Sequence, residues 1–296
     1  MDPVIFHRDP ASLDLPPSTL IAAFAGWNDA GQAATAAVRF LIDTFGAEEV
    51  ASIDPEEFYD FTSSRPIVRI GPDEQRALEW PANRFFVPAG PERGIVLLLG
   101  DEPHLKWRAF TSAVLDVASR LNCRMVFTLG GLVGDAVHTR PVPLAGYSLH
   151  PALRPRFDAL GISGSRYEGP TGIVGALHDR CRQEMIPSGS LWAAVPQYLG
   201  TTPNPKAALA LLDALDDLLE LGLDLRELRA VAEEFEASVT KAVSQNREVL
   251  EIVRFLERQH DAGAARTEET DLPPPAAIIE DLEEFLRKQR ERGEQS

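Results

Sequence analysis

Short runs without polar residues carry the clearest structural signal in this chain. Residues 20–25 (LIAAFA), 95–99 (IVLLL), 125–129 (MVFTL) and 191–195 (LWAAV) lack the alternation of a half-exposed strand. They predict strands buried on both faces. Shorter strand candidates lie at 50–53, 66–70 and 84–87. Helical periods fall between them. One helix is predicted over 30–45, with a mostly small inward face (Ala30, Ala33, Ala34, Ala37, then Phe40 and Leu41) and Gly46 as its left-handed stop. Asn28 or Asp29 suits its cap. A second runs from Pro103, at a first helical position, to about Leu121, and a third from Gly172 to about Met185. Continuous apolar strands alternating with amphipathic helices predict an α/β fold with a mostly parallel sheet covered on both faces.

The pattern changes after residue 203. Asn204 caps and Pro205 opens a helix rich in Ala and Leu that ends before Gly222. Asp224 and Glu227 form a D-x-x-E variant of the capping box. A long helix is expected from there to about Gln259, with apolar steps of three and four through Leu228, Phe235, Val239 and Val243, interrupted by polar Asn246. Two readings stay open. The helix closes a hairpin on its own α/β core, or it also packs against another subunit, with Leu228, Phe235 and Val239 as interface candidates. The division expected is an α/β core over 1–203, a C-terminal helical hairpin over 204–260, and a linker and tail over 261–296 with a short amphipathic helix at 276–288.

Charge narrows the function. Of the chain's 296 residues, 45 are Asp or Glu and 29 are Lys or Arg, a net charge of −16. Nucleic acid and anionic membranes, which need clustered cations, are disfavoured as partners. Only four residues are lysine (Lys106, Lys206, Lys241 and Lys288), which thins out P-loop chemistry. Cys123 and Cys181 have neither CxxC nor Cys/His ligand spacing, so no metal site, cofactor or disulfide framework is expected. No signal-peptide pattern and no apolar run near ~18 residues is present, so the expected compartment is the cytoplasm.

In open α/β sheets, ligands bind where strands end and helices begin. Four such segments are polar and glycine-rich: 26–31 (GWNDAG), 100–108, 130–141 and 167–172. The first three are expected to gather along one rim of the sheet. The first offers Gly26 and Asn28 for close approach to a ligand and Asp29 as an acid or base. Its alternative is a capped turn with Trp27 over the sheet end. The second holds Asp101, Glu102 and His104, a candidate acid/base group. Alternatively Glu102 caps the helix that follows, with His104 and Trp107 at a subunit surface. The third brings Gly131, Asp135, His138 and Arg140 together. Arg140 is the candidate clamp for an anion, unless it pairs with Asp135 to hold the loop. The fourth places Gly172 at the start of a helix. That helix carries His178 and Cys181 three apart, either a nucleophile pair or core. Neither GxGxxG, GxxxxGK[ST] nor G-x-S-x-G occurs.

In order along the chain, GWNDAG, GDEPHLKWRAF, LGGLVGDAVHTRPVP, YEGPTGIVGALHD and WAAVPQYL followed by NPKAAL resemble the actinobacterial branch of the proteasome assembly chaperone two family, over residues 18–260. The resemblance implies a mixed α/β/α sandwich similar to purine nucleoside phosphorylases (a phosphorylase/hydrolase-like fold). It also implies a homo-oligomer, with a trimer as the expected count, and protein clients such as proteasome subunits. The hydrophobic-tyrosine-any docking tail of such chaperones is not matched by Arg292-Gly293-Glu294-Gln295-Ser296. Two functions follow. One is a non-catalytic protein mediating assembly or interaction. The alternative is an enzyme on a phosphorylase-like fold acting on a small anionic or nucleoside-like ligand, with Asp29 or Asp135 as acid/base and Arg140 as clamp.

Overall fold

A computed structural model describes residues 3–71, 74–90, 93–148, 150–164 and 167–261. The expected helix at 276–288 and the tail lie outside them. Among the described residues there are ten strands: β1 (Val4–Phe6), β2 (Ser18–Ala25), β3 (Glu48–Ile53), β4 (Ile67–Ile70), β5 (Arg76–Glu79), β6 (Asn83–Val87), β7 (Ile95–Asp101), β8 (Cys123–Gly134), β9 (Leu144–Ser148) and β10 (Ser188–Pro196). The helices are α1 (Ala33–Thr44), α2 (Trp107–Arg120), α3 (Arg154–Ala159), α4 (Ile173–Gln183), α5 (Pro205–Leu219), α6 (Arg226–Gln245) and α7 (Arg247–Asp261).

Eight strands form one mixed sheet in the order β1-β3-β6-β7-β2-β8-β10-β9, flanked by helices. β2 is the central strand, parallel to β7 on one side and β8 on the other. Its residues Leu20 to Phe24 are completely buried, which explains their unbroken apolar run. Val126 bonds to Pro187 and Thr128 to Ser190, so β10 advances alongside β8 in the same direction. One antiparallel part lies at an edge, where β1, β3, β6 and β7 pair in turn. β4 and β5 form a separate two-stranded ribbon.

The chain forms two compact units. Unit 1 holds the described residues up to Asp29, together with Ala34–Gly130 and Gly146–Leu191. Unit 2 holds Ala30–Ala33, Gly131–Ala145 and the described residues from Trp192 onward.

Several local expectations are corrected. The helix expected from Pro103 starts at Trp107, because Lys106 takes a left-handed conformation (φ 52°) that cannot belong to a right-handed helix. The long C-terminal helix is two helices. Asn246 is extended (φ −118°, ψ 110°), and its Oδ1 accepts the backbone N–H groups of Glu248 and Val249. The polar residue in the apolar stripe therefore ends α6 and caps α7. No capping box forms at the start of α6. Asp224 accepts the N–H of Arg226 and pairs with its guanidinium instead. Asn204 does cap α5, accepting the Ala207 N–H at 3.0 Å. Gly46 (φ 53°) does stop α1.

Candidate functional site

In unit 1 the ends of β2 and β7 lie side by side, with Ala25 opposite Asp101. The two loops that leave them are joined through Glu102. Its backbone N–H donates to Ala25 O at 2.8 Å. Its Oε2 accepts from Trp27 N–H at 3.3 Å, and its Oε1 accepts from Asn28 Nδ2 at 2.7 Å and from Ile173 N–H at 2.8 Å. Ile173 is the first residue of α4, and Gly172 before it makes no side-chain cap of its own. Glu102 therefore does cap a helix, but α4 rather than the α2 that follows it in sequence. A carboxylate suits this place, since orphan N–H groups and the helix dipole both favour negative charge. An added Cβ at Gly172 would overlap the ends of the Asn28 and Glu102 side chains, so a larger residue there would have to displace this carboxylate–amide pair.

Asn28 is 1 % exposed, and its Oδ1 has no hydrogen-bond partner. A buried acceptor in that state is costly and marks a place where a donor belongs. Asp29 is also buried. Its carboxylate accepts the N–H groups of Ala34 and Thr35 and the Thr35 hydroxyl. It caps α1, and burial raises its pKa. With both oxygens engaged, its present use is structural.

Beside Glu102 lies a cleft of about 470 Å³ lined by Gly26, Trp27, Ser64, Asp101, Glu102, Pro103, His104 and Trp107. Trp27 is 64 % exposed on it. Burial raises the pKa of Asp101, whose Oδ2 accepts the Ala82 N–H at 3.3 Å. His104 is exposed, and its Nδ1 accepts from Asp60 N–H at 3.2 Å. Unit 1 thus brings together Gly26, Asn28, Asp101, Glu102, His104 and Gly172.

The third loop belongs to unit 2, and its side chains are engaged there. Tyr198 OH accepts from His138 N–H at 3.0 Å and lies 2.8 Å from His138 Nδ1. His138 Nε2 lies 3.2 Å from Thr240 Oγ1, which itself donates to Glu236 O. These roles fit one neutral tautomer, in which Nε2–H donates to Thr240 and Nδ1 accepts from Tyr198. Burial pushes the His138 pKa down to about 4. Arg140 pairs not with Asp135 but with Asp261, through Nε at 2.8 Å and Nη2 at 2.7 Å. Glu257 lies 3.6 Å from its Nη1. Its guanidinium fork is filled by the chain's own carboxylate. Asp135 is exposed. Gly131 lets the backbone of Ala30 approach so closely that an added Cβ would overlap it.

His178 and Cys181 lie in the core. His178 Nε2 is 2.8 Å from Thr128 Oγ1, which donates to Ser190 Oγ. Burial pushes the imidazole down to about 4 and the Cys181 thiol up to about 12. That is opposite to the thiolate–imidazolium direction a nucleophile pair needs. Sequence reasoning missed Tyr198, Lys206 and Thr240, which fix the third loop. Lys206 Nζ donates to His138 O and pairs with Glu236, both at 2.5 Å. Of the three, Thr240 had a sequence signal, a polar residue on the α6 face near buried Val239 and Val243. Among the described residues, no group of three or more His, Cys, Asp and Glu is arranged to hold a metal ion. No helix among them is long and apolar enough to cross a membrane.

The PAC2 family model matches residues 23–243, so the chain belongs to the PAC2 family. It is similar to a solved PAC2 family protein from Streptomyces avermitilis, at 40% identity and TM-score 0.70 over 79% of this chain and 98% of that one. It is equally similar to a proteasome-assembly chaperone homologue from Mycobacterium tuberculosis, at 40% identity and TM-score 0.71 over 79% of this chain and 99% of that one. An archaeal proteasome activator from Pyrococcus furiosus shares the fold, at 20% identity and TM-score 0.64 over 81% and 99% of the two chains. No curated protein matches the chain.

Proposed function

We propose that this PAC2-family chain is a non-catalytic, chaperone-like cytoplasmic protein that works as a homo-oligomer, a trimer, and mediates assembly of protein partners such as proteasome subunits. The observation that carries this reading is the 40% identity, over nearly the whole length of the relative, to a proteasome-assembly chaperone homologue. The engagement of the candidate chemistry supports it. Asp29 caps a helix, His138 is held neutral, and Arg140 is occupied by Asp261. Leu228 and Phe235 on α6 are half-buried and Val231 is 51 % exposed, which leaves apolar surface for a second subunit. Val239 is fully buried within unit 2, so a polar residue there tests folding rather than assembly. The experiment mixes the chain with purified proteasome α and β subunits and follows core-particle assembly by native gel and native mass spectrometry. A complex with free subunits, or faster assembly, is expected. Unchanged assembly with no complex overturns the reading.

A second reading rests on the unpartnered Asn28 Oδ1 beside Glu102 and the cleft lined by Trp27 and Trp107. Here the chain acts as an enzyme on a small anionic or nucleoside-like ligand, through Asp101, Glu102 and His104. A thermal-shift series with phosphate, nucleosides and nucleotides decides it, since specific binding raises the melting temperature. A flat series removes it.

A further inference from the structure

The cleft of unit 1 is lopsided in charge. Among the described residues its walls hold two carboxylates, Asp101 and Glu102, and two indoles, Trp27 and Trp107, but no lysine or arginine. Neither carboxylate is in an ion pair with a described residue. Lys106, nearby in sequence, is paired with Glu57 at 3.0 Å, and Arg84, whose charge acts on Asp101, lies 3.8 Å from Glu49. The two oxygens of Glu102 differ. Oε1 accepts two hydrogen bonds, from Asn28 Nδ2 and Ile173 N–H, and lies on the side of Gly172, where an added Cβ would come within 2.7 Å of it. Oε2 lies on the side of Gly26, which is on the cleft wall, at 3.5 Å from where a Cβ would stand. It accepts only the Trp27 N–H, at 3.3 Å, so it keeps an open acceptor position. Asp101 is similar. Its Oδ2 accepts the Ala82 N–H at 3.3 Å, and no donor among the described residues reaches Oδ1. Trp107 is half-buried with its Nε1–H engaged by Pro103 O at 2.6 Å, and Trp27 stands mostly in solvent.

We propose that this cleft is a recognition pocket for an arginine side chain presented by a protein partner, held by Asp101 and Glu102 Oε2 and stacked on the Trp27 indole. Open carboxylate acceptors bind charged donors most strongly, and the face of an indole attracts cations. An anion meets two like charges here, and a neutral ligand strips water from both carboxylates without compensating them. A guanidinium answers both features at once. It is planar, stacks on aromatic faces, donates in a fork and is more weakly hydrated than an ammonium. A cleft of about 470 Å³ has room for one such side chain. The net charge of −16 draws a basic segment toward the chain as a whole. Arginine and tryptophan are both frequent anchors of protein interfaces. Free arginine fits less well than a peptide, because its α-carboxylate brings a negative charge to the same two acidic groups. The protein source of the cation rests on the partner-binding reading of this chain, whereas the preference for a cation rests on the cleft alone.

The test titrates the purified full chain and follows its tryptophan fluorescence and the heat of binding. The ligands are the capped peptide acetyl-Ala-Arg-Ala-amide, the same peptide with citrulline in place of arginine, free arginine, and inorganic phosphate. Citrulline keeps the shape of the side chain and removes its charge. The arginine peptide is expected to bind roughly tenfold tighter than the citrulline peptide, and tighter than free arginine, with no response to phosphate. Asp101→Asn, which keeps an acceptor for the Ala82 N–H, is expected to weaken the arginine peptide about tenfold. Trp27→Ala is expected to weaken it roughly threefold. An arginine peptide that does not bind, that binds no tighter than the citrulline peptide, or that both variants bind as the wild type does overturns the pocket. If Asp101→Asn does not fold, Trp27→Ala and the citrulline peptide decide the matter. Binding of phosphate in place of the arginine peptide overturns it in favour of a small anionic ligand. Free arginine binding as tightly as the peptide overturns the protein source. A chain that binds the arginine peptide as expected but leaves proteasome assembly unchanged loses that partner and keeps the pocket.

Discussion

Glu102 in unit 1 and Arg140 in unit 2 are both charged residues in loops that follow parallel strands, yet they end in opposite states. Glu102 spans three chain segments, and beside it an amide oxygen lies buried without a donor and a tryptophan stands in solvent. Arg140 and its neighbour His138 are closed in by α6 and α7, with every nitrogen of the imidazole matched. The residue types promised chemistry in both places. The difference lies in valence: unit 1 retains an unused acceptor and a cleft, whereas unit 2 spends its polar groups on holding a loop against helices.

The largest test of that contrast is acid. His138 is neutral when folded, with its pKa lowered from the ordinary 6.5 to about 4, and so is His178 in the core of unit 1. A folded pKa below the unfolded one means that the neutral form stabilises the fold above pH 6.5. That contribution is lost as pH falls from there through about 4. Each imidazole accounts for at most ~3 kcal/mol of the loss. Urea unfolding between pH 7 and 4 should show it. A His138→Gln variant, which keeps a donor and an acceptor but does not titrate, should reduce the slope and leave the His178 part in place. An unaltered slope would mean that the unit 2 network is open to water.

A smaller effect is expected at the cap. Glu102→Ala removes the acceptor of Ile173 N–H and strands Asn28 Nδ2, at a cost of about 2 kcal/mol. Trp27→Ala should change stability by less than ~0.5 kcal/mol, because its indole is largely in water. A loss above 1 kcal/mol at Trp27 would show that the cleft is packed in solution and that the two regions are alike.

Much of the fold was legible because it rests on local pattern. β2, β7, β8 and β10 follow unbroken apolar runs, and Asn204, Gly46 and Asp29 cap or stop helices as their chemistry suggests. β1, β9 and α3 were not legible, since three to six residues hold too little periodicity to read. β5 (RALE) reads as polar because both its faces meet solvent. At the candidate site the residues were legible and their partners were not. Nothing near Glu102 in sequence indicates that it caps a helix beginning 71 residues later.

Sequence alone determined which segments must be buried, which residues cap or stop α1 and α5, and that the chain is strongly acidic. These follow from transfer free energies, backbone conformational preferences and net charge, all properties of neighbours along the chain. Tertiary structure alone decided that Arg140 meets Asp261 rather than Asp135, that Glu102 caps α4, and that Asn28 Oδ1 is left without a partner. Hydrogen bonds and ion pairs are satisfied by whichever group folding brings within about 3 Å, and that distance is set by packing, not by position in the sequence.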